Sequence, residues 1–120
     1  MRWRSVCRLA RRLPEVEDGR SYGVRVIRVR GSFIARLAAD GCSIVVKSGV
    51  LERERLCHRR PDIFAPAADD PTGSMMMVRL ATIDTTELWP VLAGSWRRSA
   101  PATLVAASDP VSSEPRAPDR

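Results

Sequence analysis

The sequence predicts an α+β domain, a twisted antiparallel sheet with helices from the two ends of the chain packed on one face. Three observations carry that expectation. The chain has 120 residues, room for one domain. Its middle third alternates apolar and polar residues with a period of two, broken by turn residues. Helical periodicity appears before and after that stretch, so helices flank a meander of strands.

The first element is an amphipathic helix over residues 3–12. Trp3, Val6, Cys7 and Ala10 share one face, Leu13 follows one turn later, and Arg4, Arg8, Arg11 and Arg12 lie mainly on the others. Pro14 ends it, and residues 15–19 read as an acidic turn. Residues 22–47 then form strands. Asp40-Gly41 is a two-residue hairpin signal, because both positions of a type I′ turn need positive φ. Centring a turn there pairs Ala39 with Cys42, Leu37 with Ile44, and Ala35 with Val46. A turn at Arg30-Gly31-Ser32 pairs Val29 with Phe33 and Ile27 with Ala35. The two registers agree with each other. One face collects Ile27, Val29, Phe33, Ala35, Leu37, Ile44 and Val46; the other collects Arg28, Arg30, Ile34, Arg36, Val45 and Lys47. A one-residue slip would mix the two sets.

A short helix is expected over residues 51–59, a Pro/Asp/Gly loop over 65–74, and a further strand over 75–83. If Met76, Val78 and Leu80 face the core, Arg79 joins the basic face. Asp84-Thr85-Thr86-Glu87 is a capping-box start for a last helix, with Leu88, Leu92, Ser95, Trp96 and Ser99 as its inward stripe. Pro90 removes a backbone donor inside that helix and should bend it. Residues 1–101 form the expected domain, and residues 102–120, rich in Pro, Ala and Ser, a disordered tail.

In their order along the chain, several of these segments resemble the MmcQ/YjbR family of small bacterial proteins. The most specific part is Leu13-Pro14-Glu15-Val16-Glu17 followed by Ser21-Tyr22-Gly23. It continues through Val29-Arg30-Gly31, Ala35-Arg36-Leu37, Asp40-Gly41 and Val46-Lys47, then Pro61-Asp62-Ile63-Phe64, Val78-Arg79-Leu80, Glu87-Leu88, Trp96-Arg97 and Ala100-Pro101. The resemblance implies a CyaY-like α/β sandwich and a non-enzymatic role commonly described as DNA binding. The chain departs from the family pattern at Val24-Arg25, where Thr-Pro is usual. It also lacks the His, Tyr and Trp of the family's loop before the late strand, and the basic residues that often follow Ala-Pro near the end.

The charge points the same way. Twenty basic residues face 14 acidic ones, a net +6, and all the basic residues but Lys47 are arginine. Residues 1–60 hold 15 basic against 6 acidic side chains, whereas residues 61–120 hold 5 against 8. A basic half raises the local concentration of polyanions, and the guanidinium fork suits phosphate. The candidate nucleic-acid-binding set is therefore Arg25, Arg28, Arg30, Arg36, Lys47 and Arg79. Side chains two apart on a strand repeat at roughly 6.5–7 Å, close to the phosphate spacing of one nucleic-acid strand. The N-terminal arginines are a second candidate backbone contact. Few aromatics fall on this face, so duplex DNA bound with weak sequence specificity is the expected partner rather than a single strand. The alternative is a protein-interaction module centred on Met75, Met77, Ile34 and Val45.

No P-loop, dinucleotide fingerprint, G-x-S-x-G or H-E-x-x-H motif occurs, so no enzyme, cofactor or metal is expected. His58 beside Cys57 diverges from it by about 100° on a helix, which suits no shared ion. Three cysteines without C-x-x-C spacing read as buried free thiols in a reducing, cytoplasmic setting. No apolar run approaches the ~20 residues of a membrane helix, and the basic N-terminus lacks the apolar stretch of a signal peptide.

Overall fold

The structure, a computed structural model, describes residues 1–68 and 70–108. The elements are α1 (Trp3–Ala10), β1 (Val16–Ser21), β2 (Val24–Val29), β3 (Ser32–Leu37), β4 (Ser43–Lys47), α2 (Val50–Arg59), β5 (Phe64–Pro66), β6 (Met75–Arg79), α3 (Thr85–Ser99) and α4 (Ala102–Ala107). The strands form one antiparallel sheet in the order β1-β2-β3-β4-β6-β5. Helix α3 lies across β3 and β4, α1 packs on α3, and α2 sits beside β5 and β6. The α+β class is the one that period and turn residues predicted.

The core lies between the sheet and the helices. Val6, Leu9 and Ala10 of α1 meet Ile27, Val29, Ile44, Val46, Met76 and Val78 of the sheet and Leu88, Trp89, Leu92 and Trp96 of α3, all nearly or fully buried. The Trp96 indole N–H donates to the Pro14 carbonyl at 2.9 Å, tying α3 to the α1–β1 connection. The capping box of α3 is formed: Asp84 Oδ1 accepts from the Glu87 amide at 2.8 Å, and Glu87 Oε1 accepts from the Asp84 amide. Pro90 lies within this single helix.

Several expectations need correction. Where an acidic turn is expected over residues 15–19, the chain from Val16 to Ser21 is edge strand β1; Val-Glu-Asp-Gly-Arg-Ser has no apolar alternation because both faces of this strand are largely exposed. Ala65 and Pro66, the start of the expected 65–74 loop, instead pair with β6 as part of β5. The chain continues past residue 101 as α4, with Leu104 buried against the core, where composition predicted a disordered tail. The remainder of that tail, residues 109–120, lies outside the described residues.

The hairpins also differ in detail. Type I′ geometry occurs at Tyr22-Gly23 (φ 52° and 82°) and at Arg30-Gly31 (φ 47° and 84°). At Asp40-Gly41 only the glycine has positive φ. Ala38 and Ser43 close a four-residue loop there, with the Ala38 amide donating to the Ser43 carbonyl and the Gly41 amide to the Ala38 carbonyl. Asp40 Oδ1 accepts from the amides of Cys42 and Ser43 at 2.8 and 3.0 Å. The predicted pairings of Leu37 with Ile44 and Ala35 with Val46 survive, because loop length changed without changing register.

One irregularity decides which residues face outward. Ile27 pairs with Ala35, but the next pairs are Arg28 with Phe33 and Val29 with Ser32, leaving Ile34 as an extra residue in β3. This β-bulge inverts the expected placement of two side chains: Ile34 enters the core, fully buried, and Phe33 turns to the face opposite the helices. β3 pairs with β4 only from Ala35 onward, so the bulge carbonyls need other donors. Helix α3 supplies them. Ser95 Oγ donates to the Ile34 carbonyl at 2.6 Å and accepts from the Lys47 amide at 3.1 Å. Ser99 Oγ, one turn later, donates to the Phe33 carbonyl at 2.9 Å.

Ser95 is fully buried, so Ser95→Ala orphans both a carbonyl and an amide. The expected loss is about 1–3 kcal/mol of unfolding free energy, read from urea denaturation, with a smaller loss for Ser99→Ala at its partly buried site.

Candidate nucleic-acid interface

The face of the sheet away from the helices is built from rows of directly opposed residues. One row runs Gly19, Val26, Arg36, Val45, Met77, Ala65 across all six strands. On one side of it lie Glu17, Arg28 and Phe33, and on the β4–β6 side Lys47 with Met75 and Ser43 with Arg79. Val26 and Val45 are nearly buried on this face yet stand apart from the main core. Long neighbours cover them, with Arg36 directly between the two, as expected of arginine stems lying along apolar surface. The face is therefore apolar at its centre and cationic around it.

The structure brings four of the six predicted residues to this face: Arg28, Arg36, Lys47 and Arg79, one from each of β2, β3, β4 and β6. None forms an ion pair with a described residue. Arg28 Nη2 donates to the Arg20 carbonyl at 3.2 Å and Arg79 Nη1 to the Pro61 carbonyl at 2.9 Å. Arg36 has no protein hydrogen bond among the described residues. Lys47 Nζ donates to Ser32 Oγ at 3.0 Å and sits 5.2 Å from the centroid of the Phe33 ring, a cation–π contact. Partial burial lowers its pKa.

The other two residues are elsewhere. Arg25 has the same parity as Ile27 and Val29, so alternation sends it to the helix side, where it faces α1. Arg30 occupies the β2–β3 turn, and a bidentate pair to Glu15 holds its guanidinium, Nε to Oε1 at 2.7 Å and Nη2 to Oε2 at 2.9 Å. That pair pulls the Glu15 carboxyl below its usual range. Ile34, expected at the centre of an apolar docking patch, is in the core instead, while Val45, Met75 and Met77 are on the open face.

Two features of this face were not read from sequence. Tyr22, the chain's one tyrosine, is fully exposed at the β1–β2 turn. Its φ of 52° is a conformation that costs most L-residues roughly 1–2 kcal/mol. With Phe33, Val24, Val26, Arg28 and Arg36 it borders a depression of about 450 Å³. Gly23, ahead of the Val/Ile-rich run Val24–Val29, was the available signal for the turn; the bulge left none, because Phe33 and Ile34 are both apolar.

A second cationic surface lies on the helix side. Arg2, Arg4, Arg8 and Arg11 meet Arg25 of β2 around a groove of about 680 Å³ whose single carboxylate, Asp18, is held by Arg11 at 2.7 Å. That bond lowers the Asp18 pKa, and burial first, then Asp18, raises the Cys7 thiol to about 11. Cys7 is buried as predicted, whereas Cys57 is half-buried and Cys42 exposed. His58 lies on the exposed side of α2. No helix is long and apolar enough to cross a membrane among the described residues.

No family model matches the chain, and no curated protein matches it. A solved structure is similar: the crystal structure of Deinococcus radiodurans protein DR2400, which carries a DUF419 domain. The two superpose with a TM-score of 0.68 over 79% of this chain and 75% of that one, at 18% sequence identity. The likeness is one of fold. DUF419 is the MmcQ/YjbR-like family, so the architecture implied by the sequence motifs is the architecture found.

Glu15 and Asp18 both have depressed pKa values, so the unfolded chain binds their protons first. Their stabilisation is complete above the unfolded values near 4 and is lost as pH falls through the lower folded ones. Urea midpoints should be level from about pH 7 to 5 and fall below about pH 4. Glu15→Gln should make that fall shallower, and by little, since the pair is exposed.

Proposed function

We propose that this protein is a distant member of the MmcQ/YjbR family and a non-enzymatic nucleic-acid-binding module of the bacterial cytoplasm, contacting phosphates through the open face of its sheet. The observation that carries this reading is the set of four cations on that face, from four strands, none in a salt bridge with a described residue, although Asp40 and Asp62 lie close enough to Arg79 to feel its charge and Glu17 stands opposite Arg28. Like charges gathered on one face repel one another, and a polyanion relieves that repulsion. The groove along α1 adds positive potential from the other side of the sheet. The ordered sequence motifs and the fold likeness to a DUF419 protein support the family assignment. Free cysteines suit a reducing compartment.

Fluorescence anisotropy with a labelled oligonucleotide duplex, at several salt concentrations, tests the reading. Four phosphate contacts predict a slope of log K against log salt near −4. Arg28→Ser with Arg36→Ser should reduce the slope to about −2 and weaken binding at every salt concentration. Binding that ignores salt, or is absent at low salt, contradicts the proposal.

A second reading rests on the apolar centre of the same face. Val45 with the half-buried Met75 and Met77 would suit a protein partner, methionine being an adaptable contact residue. In that case an unlabelled partner protein, not nucleic acid, would compete for the face, and Arg28→Ser with Arg36→Ser would leave binding almost unchanged.

A further inference from the structure

The chain is poor in aromatics, 5% of residues, and most of them serve the core: Trp89, Trp96 and Phe64 are buried and Trp3, partly buried, packs against the core cluster. Two are spent differently. Phe33 is turned out of the core by the bulge, and Tyr22 stands fully exposed in a turn position that favours glycine or asparagine. Both border the same depression, which Val24, Val26, Arg28 and Arg36 also line. Lys47 Nζ lies over the Phe33 ring and adds charge at its edge.

A strained, exposed ring beside an outward-turned one is poor design for stability alone. Rings on which bases stack, with cations beside them for the backbone, are what single-stranded nucleic acid requires. A duplex offers no open base faces to such rings. The volume of about 450 Å³ lies within the range of small-ligand pockets, enough for one or two unstacked bases.

We propose that the depression bordered by Tyr22 and Phe33 is a base-stacking site, so that the nucleic acid held on this face is single-stranded, its bases on the two rings and its phosphates against Arg28 and Arg36. This rests on the nucleic-acid reading above and replaces its duplex partner with a single strand. Stacking tolerates any base, so little sequence preference is expected.

Three labelled probes test it with the full chain: the single strand dT12, a 12-mer deoxyribose-phosphate chain without bases, and a 12-base-pair duplex. At one salt concentration dT12 should bind at least about 10-fold more tightly than the abasic chain. Tyr22→Asn and Phe33→Leu should each cut dT12 affinity about 5- to 100-fold. Tyr22→Asn should leave the abasic chain and the duplex unchanged, and Phe33→Leu, which also frees Lys47 from its ring contact, should weaken those two probes less than dT12. Asparagine suits the left-handed turn position and leucine keeps an apolar side chain at 33, so both variants should unfold at or near the wild-type urea midpoint. Equal binding of dT12 and the abasic chain overturns the stacking site and leaves the phosphate-binding function standing. A preference for dT12 that survives both substitutions also overturns it. No binding of any probe at low salt overturns both proposals.

Discussion

Two serine hydroxyls one turn apart on α3 hold the sheet in the shape on which its open face depends. β3 leaves β4 before Ala35, and the bulge at Ile34 strands two carbonyls at that divergence. Ser95 and Ser99 bond them, and Ser95 also takes the Lys47 amide from the other strand. Without these bonds, buried backbone groups would lack partners, and a regular ladder that returned Phe33 to the core would compete. The helix therefore does more than cover the sheet. Its polar positions fix which of Phe33 and Ile34 meets solvent.

From that constraint the character of the face follows. With Phe33 outward and Ile34 inward, the centre of the face becomes a shallow apolar and aromatic strip, and the cations stand around it on separate strands. Lys47 is partly desolvated over a ring, Arg36 spans two buried valines, and Arg28 anchors to a main-chain carbonyl. Such cations are held in place beside apolar surface rather than waving in water, which lowers the entropy lost on meeting a ligand. Glu15 removes Arg30 from this set and Asp18 removes Arg11 from the helix-side groove. The acidic residues of the N-terminal half thus shape where positive charge remains available.

Much of this was legible in the sequence. The pairing of β3 with β4 could be read because Asp40-Gly41 marks the turn and sets Leu37 and Ala35 opposite Ile44 and Val46 on the buried face. The outward direction of Arg28, Arg36, Lys47 and Arg79 came from the same parity, and strict parity would also have sent Arg25 to the helix side. What could not be read had no periodic signature. β1 is an edge strand exposed on both faces, so nothing in Glu17, Asp18 and Gly19 alternates. A bulge shifts parity by one residue, and with Phe33 and Ile34 adjacent either could face inward; the choice is made by Ser95 and Ser99, more than sixty residues away in sequence. The aromatic border of the depression is a tertiary product of that choice and of the Tyr22 turn, neither of which composition reveals.

The central claim is that the open sheet face, and not the helix side, holds nucleic acid. Amide chemical shifts measured while titrating the full chain with a 12-mer oligonucleotide address it most directly. The largest changes should fall on Arg28, Phe33, Arg36, Val45 and Met77, with Tyr22 at the margin and smaller effects along α1. Changes confined to α1 and Arg25, with the outward residues of β2, β3, β4 and β6 silent, would contradict it.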